Sequence, residues 1–484
     1  MVHFDEIGWR FKMKSDTDYV DDTIEYQYGL NDQVSLIRNS TSEIRYSYLR
    51  DNLINHVQTV GLGSMSSYPS PVLDYAYDAN GNETDLSAAA IGQISYTYDS
   101  LSRITNLMNS WGDAFGFGYD TADRLLFISR PGSQTNYNYS DSSKISEIQH
   151  FVGGTIKSSS VYTYDQRNYI VQKSDNSGVL NYGYDLNGQL RSVAGARAES
   201  FSYDSIGNRT SDLSGLFSYD LTWQRLNQDS QFVYSYDLNG NLIGKNPKNI
   251  TANAFEYSYS SKNQLIEVRI LSSAAGQVQK RISYAYDAVG RRIEKRVNNL
   301  ISGINSTRRF VYDKNDILAE YDESGNLLAR YTHSRISEDD VLAANITQSG
   351  VSAGLGRSGS AFFLKNALGS VTSVMDSSGN LIQSYQYDSF GKIGMIQDGI
   401  GNDISLSPIL NTSFTFTGRE WDKESGLYFY RARFYDPNTG RFLQKDPHPG
   451  AIGNPISHFN KFSYVANNPI NLTDPSGMKY GRGG

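Results

Sequence analysis

Hydrophobic and polar positions alternate with a period of two along most of the chain, and the apolar member is usually aromatic. Period two is the pattern of a strand with one buried face. One unit recurs: an aromatic residue, any residue, Tyr, Asp, two further residues, often Gly, then a polar residue and Leu or Ile. Its clearest copies begin at Tyr75 (YAYDANGN), Tyr96, Tyr162, Tyr182 (YGYDLNGQL), Phe201, Tyr234 (YSYDLNGNL), Tyr284 and Tyr385. Weaker ones begin at Tyr26, Phe117, Tyr137, Phe217, Tyr257 and Phe310. Successive copies lie roughly 16 to 29 residues apart, which suits a two-strand unit.

Each position has a physical reason. Two aromatics spaced by one residue share a strand face and stack against the equivalent pair of the next strand. Asp at the strand end accepts hydrogen bonds from turn amides. The Gly three positions later (Asp185 with Gly188, Asp237 with Gly240, Asp287 with Gly290) takes a positive φ without steric cost. The following apolar residue starts the return strand. The unit is a β-hairpin, and the row of them predicts an all-β fold: a long antiparallel sheet that spirals into a shell or barrel, because flat open sheets beyond about ten strands are rare. Aromatics at strand spacing are read as packing rather than as a sugar-binding platform. The Gly/Ser-rich stretch 347–361 (TQSGVSAGLGRSGSA) lacks periodicity and reads as an exposed loop.

Composition narrows the picture. The chain has 36 Tyr, 43 Gly and 11 Pro among 484 residues, a bias toward strands and away from disorder. A net charge of −7 opposes nucleic acid as a partner. The absence of cysteine excludes disulfides and thiolate metal sites. The segment MVHFDEIGWRFKMK has no apolar run behind its positive charges and is not read as a secretory signal, and no stretch of about 18 apolar residues predicts a spanning helix. The six histidines, His3, His56, His150, His333, His448 and His458, offer no ligand pair on one element, so neither metal nor cofactor is expected. Phosphate-loop, nucleophile-elbow and dinucleotide motifs are missing.

Candidate chemistry concentrates in Gly426 to Met478, the densest run of aromatic, Arg and Asp-Pro elements. Asp436, Asp446, Asn468 and Asp474 all precede Pro and can each be turn starters, the preferred reading for Asp436. Arg431, Arg433 and Arg441 are offset by Asp436, Asp446 and Glu424, which predicts internal ion pairing.

From Phe362 onward the sequence, FFLKNALGSVTSVMDSSGNLIQSYQYDSFGKI and then FTFTGREWDKESGLYFYRARFYDPNTGRFLQKDP, closely resembles the RHS-repeat-associated core. That core ends the YD-repeat shells of bacterial Rhs toxins and of Tc toxin C subunits. The upstream hairpins resemble the YD repeats of the same superfamily, which includes animal teneurins, and together the resemblance spans residues 26 to 478. It implies a lead-in at 1–25, a YD shell at 26–361, the core at 362–478 and a short remnant at 479–484, too short for a folded toxin. It further implies a shell that encapsulates a C-terminal polypeptide and frees it by aspartic-type self-cleavage, with a D-P-x-G-(Leu/Met) signature at the cut. Here that signature is Asp474 to Met478, so the scissile bond is Met478–Lys479. Arg433, Asp446 and Asp474 fall on the positions that carry the reaction in that family. Two carboxylates suit such a reaction, one ionised to activate water and one protonated to release the leaving nitrogen, with Arg433 lending positive charge to the oxyanion or to the ionised Asp. The expected partners are the chain's own C-terminal segment or a toxin cargo, with delivery or shell subunits. The expected location is secreted or cell-surface, reached without a recognisable signal. With few residues ahead of the first hairpin, a partial or open shell that associates with other chains is also expected. The alternative is a non-enzymatic YD-repeat surface or self-assembling protein that binds glycans.

Overall fold

The computed structural model describes residues 24–29, 32–49, 52–220, 222–272, 276–448, 456 and 459–482, with the backbone of Val2–Asp5 and Gly8–Phe11. Most of the lead-in 1–25 and the His458 position lie outside them, as does the side chain of His3. Among the described residues, two large antiparallel sheets dominate. The first runs strand by strand from Glu25–Tyr28 to Glu199–Ser200 and curls round on itself; the second has 16 strands, from Ser218–Tyr219 to Ile393–Asp398. A three-stranded sheet (Ser202–Tyr203, Arg209–Asp212, Gly215–Leu216) bridges them in sequence. Every registered strand pair is antiparallel, as a run of hairpins requires.

The turns follow the physics of the repeat. Asp185 Oδ1 accepts the backbone N–H groups of Asn187 and Gln189, both at 2.9 Å. Gly188 has φ +82°, in the left-handed region. A register shift falls at the second Tyr of each unit, for example between Ser47 and Tyr48, Ala76 and Tyr77, and Ala285 and Tyr286. A bulge of this kind re-aims the side chain it carries. Its hydroxyl then donates to the carbonyl of the first residue in the preceding hairpin's return strand: Tyr77 to Ile54 at 2.7 Å, Tyr184 to Ile170 at 2.7 Å, Tyr286 to Leu265 at 2.6 Å. The same bond recurs at Tyr48, Tyr98, Tyr119, Tyr139, Tyr164, Tyr203, Tyr219, Tyr259, Tyr312 and Tyr387. The aromatic pair expected only to stack is therefore divided. Its first member packs into the core, and its second locks one hairpin to the one before.

The stretch 347–361, expected to be an exposed loop, is exposed over most of its length but is not without regular structure. Thr347 Oγ1 accepts the N–H of Gly350 at 3.1 Å and caps a short helix, Gln348–Ser352. Leu355 is buried, and Gly359 already opens the next strand, Gly359–Lys365. A polar capping threonine and a buried glycine leave no apolar period to detect.

Beyond residue 398 the chain turns inward to a four-stranded sheet, Glu420–Asp422, Leu427–Tyr430, Arg433–Asp436 and Arg441–Phe442. Leu427, Phe429 and Phe434 face the large second sheet and join its core with Tyr257, Val268 and Tyr284. Tyr428, Tyr430, Tyr435 and Phe442 face the other way and pack with Phe416, Tyr464 and Val465. Burial on both faces explains why this stretch reads as an unbroken aromatic run rather than an alternation. A cavity of about 850 Å³ lies between this inner sheet and the surrounding strands, lined in part by Phe201, Phe217, Phe232, Lys245 and Asp436.

Candidate self-cleavage site

The inner sheet is fixed to the large sheets by buried charge. Arg292 donates to Asp422 at 2.7 Å and to Glu420 at 2.5 Å, and Lys295 donates to Asp422 at 3.0 Å and Glu424 at 2.6 Å. Asp436 both shapes the expected turn, accepting the Asn438 N–H at 2.9 Å, and takes Lys245 Nζ at 2.8 Å. The expected pairing inside the Arg cluster holds for Arg433 with Asp446 and is otherwise redrawn. Asp436 and Glu424 pair with cations of the surrounding sheet, Arg431 pairs with Asp339 at 2.6 Å, and Arg441 bonds neutral oxygens of Asn208 and Gln224. Each side chain finds its partner across the interface because its sequence neighbours point to opposite faces of the strands.

Between Leu427–Tyr430 and Arg433–Asp436 the chain makes a tight hairpin, with Tyr430 paired to Arg433 and Arg431 at φ +55°. The tip of this hairpin grips the Asp474–Met478 segment through three consecutive carbonyls. Arg431 Nη1 donates to Pro475 O at 2.6 Å, Ala432 N to Ser476 O at 3.3 Å, and Arg433 Nε to Gly477 O. Gly477 has φ +69°, and a Cβ there would lie 2.1 Å from Tyr430 O, so the close approach requires glycine. This accounts for the Asp-Pro-x-Gly pattern in physical terms: a turn closed by Gly477 N to Asp474 O at 3.2 Å, and a backbone near enough to be clamped.

Arg433, Asp446 and Asp474 come together at this clamp. Arg433 Nη2 lies 3.1 Å from Asp446 Oδ2 and 3.4 Å from Asp474 Oδ2. The guanidinium stacks 3.6 Å over the Phe442 ring and also donates to Lys461 O at 3.2 Å. Asp474 Oδ1 accepts the N–H of Met478 at 3.1 Å and of Lys479 at 3.0 Å, while Ser476 Oγ donates to it at 3.2 Å. The two carboxyls differ in environment. Asp474 is 2% exposed at its side chain, and burial raises its pKa against the opposing pull of Arg433. Asp446 is 21% exposed and accepts the His448 N–H at 2.8 Å. Burial also lowers the pKa of Arg433, and the two carboxylates oppose that shift. Arg433 reaches Gly477 O, one residue short of the carbonyl of the Met478–Lys479 bond, so its charge acts on the two carboxyls rather than on that carbonyl. The side chains of Met478 and Lys479 are exposed.

Sequence reasoning missed Arg431, Ala432 and Ser476 as parts of this arrangement. Adjacent hairpin residues meeting adjacent turn carbonyls some 44 positions away leave no local signal.

A sheet of Tyr-Asp hairpins wound around an inner aromatic core defines a YD-shell protein. The chain belongs to the teneurin YD-shell family, whose model matches residues 171–470. It is 26% identical over 412 residues to the tRNA3(Ser)-specific nuclease WapA of Bacillus spizizenii, a match covering 80% of this chain and 16% of that protein. It is 27% identical over 330 residues to the double-stranded DNA deaminase toxin A of Burkholderia cenocepacia, covering 66% of this chain and 22% of that protein. The chain therefore spans about a fifth or less of these relatives' lengths. Among solved structures, TcdB2-TccC3 superposes with a TM-score of 0.69 at 16% identity, over 97% of this chain and 26% of that one. That likeness establishes the shared fold. Among the described residues no helix is long and apolar enough to cross a membrane.

Proposed function

We propose that this YD shell carries a single-turnover, aspartic-type self-cleaving site that cuts the Met478–Lys479 bond and frees a polypeptide held by the shell. The observation that carries the reading is the joint geometry of one guanidinium and two carboxyls. Arg433 bridges Asp446 and Asp474, and Asp474 holds the N–H of Lys479, the nitrogen that must leave. Two unlike carboxyls joined by one guanidinium, one of them bonded to the N–H of the bond to be cut, divide the acid and base roles. Asp446, the more exposed, takes a proton from water as the oxygen bonds to the Met478 carbonyl carbon. Asp474, whose pKa burial raises, gives its proton to the Lys479 nitrogen from its protonated form as the C–N bond breaks. The products are a Met478 carboxyl and a Lys479 amine. Because the substrate is tethered, proximity replaces binding and no regeneration of the acid is needed. That relatives include a tRNA-specific nuclease and a double-stranded DNA deaminase toxin supports an effector polypeptide as the class of cargo.

Intact mass under denaturing conditions tests this. The wild-type chain is expected to lose residues 479–484, and Asp446→Asn is expected to keep them. A full-length wild-type mass overturns the reading and leaves the non-enzymatic shell.

A further inference from the structure

The segment beyond the proposed cut is itself held in place. Gly481–Arg482 forms a two-residue antiparallel ladder with Leu472–Thr473, pairing Thr473 with Gly481 and Leu472 with Arg482. Tyr480, half-buried, packs with Leu472 against the aromatic cluster of Phe416, Tyr428, Tyr430, Tyr435, Phe442 and Tyr464. The scissile bond thus lies between two anchors. On one side Arg431, Ala432 and Arg433 clamp carbonyls 475–477; on the other, the strand pair and the Tyr480 ring fix the leaving segment. Asp474 lies between them, bonded to the N–H groups of both Met478 and Lys479. Leu472–Thr473 directly precedes Asp474, so the strand that receives the leaving segment also carries the acid.

Resting on the self-cleavage reading, we propose that Tyr480 is a positioning residue and that its seat is a specificity site. The site accepts an aromatic side chain at the second position after the cut. The ladder supplies main-chain direction and the aromatic seat supplies register, as in recognition of an extended peptide by strand addition. Register matters because neighbouring strand residues point to opposite faces. An aromatic displaced by one residue misses the seat and drags the Lys479 nitrogen away from Asp474. Misplacing reacting groups by about 1 Å costs on the order of 100-fold in rate.

The test follows the first-order loss of residues 479–484 by denaturing intact mass after the full chain is refolded from denaturant. Four chains are compared: wild type, Tyr480→Ala, Tyr480→Phe, and the composition-preserving swap Lys479→Tyr with Tyr480→Lys. Tyr480→Ala and the swap are expected to slow cleavage by about 10- to 100-fold, and Tyr480→Phe to stay within about threefold of wild type. The urea midpoints of Tyr480→Ala and the swap, measured in an Asp474→Asn background, are expected to equal that of the background, which separates positioning from folding. Cleavage of the swap at the wild-type rate, or slowing matched by a lowered midpoint, overturns the specificity site while leaving self-cleavage intact. A wild-type chain that never cleaves removes both.

Discussion

Replacing Asp474 by Asn changes the chemistry of the site and little of its shape. The amide keeps an oxygen to accept the Met478 and Lys479 N–H groups, bonded at 3.1 and 3.0 Å, but it has no proton to give. General acid catalysis by a positioned side chain contributes typically 10²- to 10⁴-fold. At about 1.4 kcal/mol per decade, the barrier rises by about 3 to 5 kcal/mol. Stability moves the other way. Burial holds the Asp474 pKa above its ordinary value even with Arg433 beside it, so the ionised carboxylate is a net cost to the folded state at neutral pH. Asn removes that cost, at the expense of an N–H facing the Arg433 guanidinium where a carboxylate oxygen lay at 3.4 Å. Asp474→Asn is therefore expected to retain residues 479–484 with a urea midpoint no lower than that of Asp446→Asn. Intact mass and urea unfolding read the two quantities separately. Cleavage within tenfold of wild type refutes the acid role. Loss of cleavage together with a clearly lowered midpoint shows Asp474 to be a structural turn residue.

Two further outcomes follow from the same geometry. The donor must be protonated, so the self-cleavage rate is expected to rise as pH falls through the raised pKa of Asp474; stability runs in parallel, being greatest below the ordinary carboxylate range and lost as pH rises through the raised value, and a rate that increases with pH from 5 to 8 contradicts this assignment. In the shell, Tyr286→Phe strands the carbonyl of fully buried Leu265 and is expected to cost about 1 to 3 kcal/mol, whereas Tyr48→Phe frees the half-buried Val34 carbonyl to water and costs less; equal shifts in urea midpoint would show that the hydroxyl ladder contributes nothing beyond ring packing.

What the sequence disclosed divides along the line between local and distant causes. The hairpin at Tyr182 is legible because strand period, Asp185 cap and Gly188 φ all act within eight residues. The hydroxyl of Tyr184 bonding Ile170 is not, since it joins two units and depends on a bulge that re-aims the side chain. The Thr347 helix was hidden by glycine and serine, which carry no hydrophobic period. Asp446 and Asp474 looked like turn residues, and His448 N to Asp446 and Gly477 N to Asp474 show that both do shape turns. Family resemblance singled them out where composition could not. Their meeting depends on Arg433, 13 positions before one and 41 before the other, lying within reach of both.

The same distant pairing ties the site to the shell. Arg431, which grips Pro475, is held by Asp339, and Asp339 also takes Arg419 at 2.5 Å. Among the described residues, Asp422, Glu420 and Asp436 find their cations on Arg292, Lys295, Lys245 and the more distant Arg419 at 4.0 Å. Leaving one partner of a buried pair unmatched costs about 3 to 5 kcal/mol, and several such pairs exceed the whole stability of an ordinary domain. The inner sheet therefore cannot keep this arrangement unless the strands bearing Lys245, Arg292 and Lys295 and the turn bearing Asp339 are already folded around it. The hairpin tip that holds residues 475–477 inherits that dependence through Arg431. A cut made at this clamp is thermodynamically later than the closing of the strands around the core.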